Sequence, residues 1–134
     1  MVTSNQTETM IATGESRARE IGVPVNIAVL DAGAHLKAFS RMDGAVIGSI
    51  DVSISKARTA VLFGIPSEAV WEYCKPGAPA PGLERSNGGL ATFPGGIPLF
   101  DSSGALIGAV GVSGGAVSQD LEIAKAAAAA LRSS

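Results

Sequence analysis

The stretch NGGLATFPGGIPLFDSSGALIGAVGVSGG, Asn87–Gly115, constrains the fold more than any other part of the sequence. It is too apolar to be a linker and too rich in glycine to be an ordinary strand pair. Its middle predicts a hairpin, with Ile97–Asp101 as one strand, Ser102-Ser103-Gly104 as the turn and Ala105–Val112 as the return strand. Alternation puts Leu106, Gly108, Val110 and Val112 on one face, and Ile107, Ala109 and Gly111 on the other. Glycine on both faces weakens a strand, so its presence implies close approach to that backbone by a helix, a neighbouring subunit or a ligand.

The rest of the chain divides around this hairpin. Asn5–Ile21 carries an apolar stripe at helical spacing (Met10, Ile11, Gly14, Ala18, Ile21), and Asn5 with Glu8 has capping-box spacing. Val25–Asp31 reads as a central strand, apolar on both faces apart from Asn26. After a turn at Asp31–Ala34, His35–Arg41 returns antiparallel. Ser49–Phe63 is a second helix, closed by Gly64 and Pro66. Ser67–Tyr73 is a short third helix with Ser67 as its N-cap. Cys74–Gly89, broken by Pro76, Gly77, Pro79, Pro81 and Gly82, is the one long irregular segment, and a loop of this length in a small domain is usually functional or disordered. Val117–Leu131 is the last helix, capped by Ser118 and rich in alanine. The order is α–β–β–α–α–(β)–β–β–α in one domain, residues 1–134. Hairpins separated by helices imply an antiparallel sheet with helices mainly on one face, an α+β fold.

Composition narrows the function classes. Hydrophobic residues make up 46% and aromatics only 4%, so the core must be built from small side chains. A formal net charge of −2 without clustered Lys or Arg argues against nucleic acid as a partner. The apolar runs are too short and glycine-broken to span a membrane. The N-terminus MVTSNQTETM has no secretory pattern, which points to the cytoplasm. The single cysteine, Cys74, rules out an intrachain disulfide, and with one histidine no metal site is expected.

Three groups of residues could carry chemistry. His35, facing Asp31 across a turn, is either an oriented general base or an exposed turn residue. Arg41, Asp43 and Lys56 could bind a carboxylate or form a structural ion pair, Arg offering a forked donor set. Glu84 and Arg85, in the long loop, could serve as acid–base group and anion clamp or be solvated. If the protein is an enzyme, His35, Asp43, Glu84 and Arg85 are its catalytic candidates. Arg41, Lys56, Phe93, Pro94, Gly95 and Gly96 are the ligand-binding candidates, with FPGGIP as the wall of the site. The paired glycines match neither phosphate-loop nor dinucleotide motifs, and GVSGG lacks the context of a nucleophile elbow.

The blocks IAVLDAGAHLKAFSRMDGA, SIDVSISKARTAVLF, PGGIPLFDSSGALIGAVGVSGG and QDLEIAKAAAAAL resemble the GlcG/HbpS haem-binding-protein-like family, which includes the C-terminal domain of PduO-type proteins. The resemblance covers nearly the whole chain. It implies a five-stranded antiparallel sheet flanked by helices, in a profilin/PAS-like layout with the order α-β-β-α-α-β-β-β-α, and assembly into homo-oligomers. It also implies a small-molecule ligand, with haem or another tetrapyrrole foremost. The alternatives are a cofactor-independent lyase, hydratase or isomerase acting on a small catabolic intermediate, and a structural or regulatory oligomer. Relatives that ligate haem through a first-helix histidine have no counterpart here, since Asn5–Ile21 contains none; His35 falls in the family's glycine-rich turn.

Overall fold

The computed structural model describes residues 1–131. The first helix, α1 (Ser4–Ile21), is capped two residues earlier than the sequence suggests. Gln6 N donates to Thr3 Oγ1 (3.2 Å) and Thr3 N donates to Gln6 Oε1 (2.8 Å), so Thr3 and Gln6, not Asn5 and Glu8, form the capping box. Strands β1 (Asn26–Asp31) and β2 (Leu36–Arg41) form the first hairpin. Helices α2 (Ser49–Phe63) and α3 (Ser67–Cys74) follow, then a 3-10 segment, Leu83–Gly88, within the long loop. Strands β3 (Gly96–Phe100) and β4 (Leu106–Ser113) make the second hairpin, and α4 (Val117–Ala130) ends the order. In α3 the N-cap position belongs to Pro66, leaving the Ser67 hydroxyl free for another task. At α4 it is Gln119 that caps, its Oε1 accepting from Ala116 N at 2.9 Å; Ser118 does not.

The sheet has four strands, in the order β2-β1-β4-β3, all antiparallel, so the expectation of five strands is overturned. The segment expected to supply the extra strand spends its backbone groups on side chains instead. Ala91 N donates to Thr59 Oγ1 (3.0 Å), and Phe93 O accepts from Ser67 Oγ (2.7 Å). The outer edge of β3 is also blunted: Gly96 N donates to Ser67 Oγ at 2.9 Å, and Pro98 has no N–H to offer.

Helices cover both faces of the sheet, not mainly one, because both faces of the central strands are apolar. Ile27, Val29, Val110 and Val112 pack with Met10, Ala18, Ile123 and Ala127 of α1 and α4. Ala28, Leu30 and Ala109 pack with Ala57, Ala60 and Val61 of α2. On this second face the residues are small for a reason. Gly96 and Gly111 are cross-strand partners, and α2 rests directly on them. A Cβ on Gly111 would lie 2.0 Å from Ser53 O, and one on Gly96 would lie 2.2 Å from Lys56 O. Gly111 of the return strand thus admits a helix backbone of the same chain, whereas a Cβ on Gly108 would instead meet Leu30 O of β1, at 2.3 Å.

Candidate functional site

The end of the sheet where α2 crosses β3 and β4 holds most of the long-range polar contacts. Lys56 leaves α2 on one face of the sheet and reaches the start of α4. Its Nζ donates to Val112 O (2.8 Å) and to Asp120 Oδ2 (3.0 Å), while Asp120 Oδ1 accepts from Gly115 N (2.9 Å). Both partners are fully buried. Burial pushes the Lys56 pKa below its ordinary value, and the hydrogen bond and charge of Asp120, with the charge of Glu68, pull it back up. The ammonium also lies 5.2 Å from the centre of the Phe93 ring, a cation–π contact. A buried ion pair of this kind ties two helical layers together at a desolvation cost that its hydrogen bonds must offset.

Ser67 supplies the second tie. Its buried hydroxyl accepts from Gly96 N and donates to Phe93 O, so the start of α3 is fastened to the loop that enters β3. Between these two fixed elements lies an open groove of about 550 Å³, lined by Glu68, Ala69, Trp71, Glu72, Thr92, Phe93 and Pro94. Its size is in the range of small-molecule sites, and its walls are mainly apolar. Trp71 and Phe93 are 39% and 42% exposed, as Phe63, Tyr73 and Phe100 also are elsewhere on the surface. Glu72 is paired with Lys75 at 2.7 Å, which sets an ammonium beside the groove. One carboxylate oxygen of Glu68, Oε2, is buried without a hydrogen-bond partner. A second depression, of about 430 Å³, lies between β3 and α4 and shares Glu68, with Lys125 and Phe100 in its lining.

The structure brings together Lys56, Phe93, Gly95 and Gly96. Phe93 and Pro94 face the groove, whereas Gly95 and Gly96 lie behind it, against Lys56. Arg41 is not part of this cluster: it is exposed on β2, opposite Asn26, at the other edge of the sheet. The four acid–base candidates are spread over the molecule. His35 is at the β1–β2 turn, its side chain 81% exposed, with Nδ1 3.4 Å from Asp31 Oδ1. Asp43 borders a shallow depression with Arg19 and Pro24. Glu84 lies against Cys74 of α3, and its neighbour Arg85 is exposed. Burial and the charge of Glu84 push the Cys74 thiol up, which makes it a poor nucleophile. Among the described residues no three of His, Cys, Asp and Glu are grouped to hold a metal ion, and no described helix is long and apolar enough to cross a membrane.

Sequence reasoning missed Trp71, Ser67, Glu68 and Lys75. The one available signal was the chain's single tryptophan, standing in a short helix just before the Pro/Gly loop. Ser67 gave none, because a serine at the start of a helix reads as a cap.

Similar proteins agree with this architecture. A protein of Citrobacter freundii described as an uncharacterized 15.0 kDa protein in the dhaT-dhaS intergenic region is 40% identical over 114 residues, 84% of this chain and 80% of that protein. The corrinoid adenosyltransferase PduO of the same organism is 39% identical over 116 residues, 86% of this chain, but the match spans only 34% of PduO. The solved structure of a PduOC–haem complex superposes with a TM-score of 0.91 at 34% identity, covering 96% of this chain and 94% of that one. Residues 2–129 match the family described as haem degrading protein HbpS-like. The chain belongs to the HbpS-like family.

Proposed function

We propose that this chain is a small-molecule-binding protein whose ligand is a tetrapyrrole of the haem type, seated in the groove between α3 and Thr92–Pro94. The observation that carries the reading is the pair of half-exposed rings, Trp71 and Phe93, facing a groove held in shape by Ser67 and braced from behind by Lys56. Flat apolar faces suit a macrocycle, and Lys75, already held by Glu72, is the cation that a ligand carboxylate can recruit. The haem complex of PduOC and the description of the family support the ligand class. The groove suits the ring but offers no histidine for iron: His35 is two strands across from β3 and beyond the Asp31–Gly108–Leu99 level of the sheet, roughly 10 Å along the strands from the Gly96 level.

Titration with haemin tests the reading. A saturable Soret shift is expected, weakened at least tenfold by Trp71→Ala with Phe93→Ala. Absence of saturable binding removes it. The scattered positions of His35, Asp43 and Glu84 favour this binding role over acid–base catalysis. We also propose that the protein is cytoplasmic and assembles with copies of itself. Light scattering checks the assembly: a mass equal to one chain contradicts it.

A further inference from the structure

Resting on the tetrapyrrole reading, we infer that the groove holds its ligand by the ring alone, so that a metal-free tetrapyrrole binds as tightly as the iron form. The common protein ligands of haem iron are histidine, cysteine, methionine and tyrosine, and none of these lines the groove. The chain has one histidine, one cysteine, one tyrosine and three methionines, and the structure accounts for their places. His35 sits at the opposite end of the sheet, held at its turn by Asp31. Cys74 is buried on α3, its Sγ 3.5 Å from Val70 O, and its thiol is pushed toward the protonated form. Met10 is fully buried in the α1–α4 layer, and Met42 packs against the same core. Met1 is exposed at the N-terminus, beside Val2, whose N donates to Ile107 O far along β4. Tyr73 is exposed on α3 but outside the groove lining.

What the groove does present acts on any flat ring. The faces of Trp71 and Phe93 stack with a conjugated macrocycle whether or not a metal fills its centre. Lys75 at Glu72 recognises a carboxylate side chain, which haem and protoporphyrin IX share. Of the oxygens that could reach a metal, Glu72 is committed to Lys75, and Glu68 turns one oxygen into the protein wall.

The chain's single tryptophan makes the test direct, because its fluorescence reports on this groove. The protein is titrated in parallel with haemin and with protoporphyrin IX, following quenching of Trp71, and the titrations are repeated with His35→Ala and Glu68→Gln. Both rings are expected to quench saturably with dissociation constants within about threefold of each other, and neither substitution is expected to open a gap between them. Haemin binding ten or more times tighter than protoporphyrin IX overturns the inference. So does a selective loss of haemin affinity in either variant, which would identify that residue as the iron ligand. If neither ring binds, the tetrapyrrole reading itself fails and this inference goes with it.

Discussion

The two ends of the sheet are closed in different ways. At one end both hairpins turn on the same local device. Asp31 Oδ1 accepts from Gly33 N and His35 N, and Asp101 Oδ1 accepts from Ser103 N and Ala105 N. Each turn is followed by a register shift in its strand pair, and each has a residue at positive φ, Ala34 at 66° and Gly104 at 85°. The place of His35 is filled by Ala105 in the second hairpin, so the turn itself has no need of a histidine. At the other end the ties are distant in sequence: Lys56 to Asp120, Lys56 to Val112, Ser67 to Gly96, Asn26 to Ser49. The groove lies at this second end. The turns spend polar side chains on their own backbone, whereas the distant ties place two rings beside an open cleft.

Substitutions at the two ends should differ in size. Lys56→Met strands the Asp120 carboxylate in the interior and should cost about 3–5 kcal/mol, measured by urea denaturation. Adding Asp120→Asn to it should recover part of the loss, and a double variant no better than the single would show that the pair does not act as a unit. Ser67→Ala leaves Gly96 N without its partner and should cost about 1–3 kcal/mol, while weakening haemin binding through loss of the loop anchor. An unchanged haemin affinity in a folded Ser67→Ala protein would separate the groove from its tie.

Changes at the turn end should be smaller and confined to stability. Ala34 occupies a backbone region that favours glycine, so Ala34→Gly should raise stability by about 1 kcal/mol, bringing the first turn to the state of the second. The carboxylates of Asp31 and Asp101 are held below their ordinary value of 3.8, chiefly by the hydrogen bonds from His35 N and from Ser103 respectively. A carboxylate with a lowered folded pKa contributes stability that is present above the unfolded value and lost as pH falls through the folded one. Asp31→Asn and Asp101→Asn should therefore lower the melting temperature near neutrality and converge on the parent protein in strong acid.

The same division explains what could be read from the sequence. Helices and strands are legible from periodicity, and the two turns from Asp31–Ala34 and Ser102-Ser103-Gly104 standing between apolar runs; these are local signals. The number of strands was misjudged because Ala91 and Phe93 find partners in Thr59 and Ser67, a matter decided in three dimensions. Lys56 on its helix could be read as an anion clamp or as half of an ion pair, and only Asp120, brought next to it by the fold, decides what it touches. Trp71 carried no motif. Its place opposite Phe93 comes from a groove whose two sides, Glu68–Glu72 and Thr92–Pro94, are brought together by the fold.

The most direct measurement is a map of where haemin lies, by paramagnetic broadening of backbone amide signals in the isotope-labelled protein. Broadening is expected to centre on Glu68–Glu72 and on Thr92 and Phe93, with Ala32–Leu36 unaffected. Broadening centred on the His35 turn, with the α3 signals sharp, would contradict it.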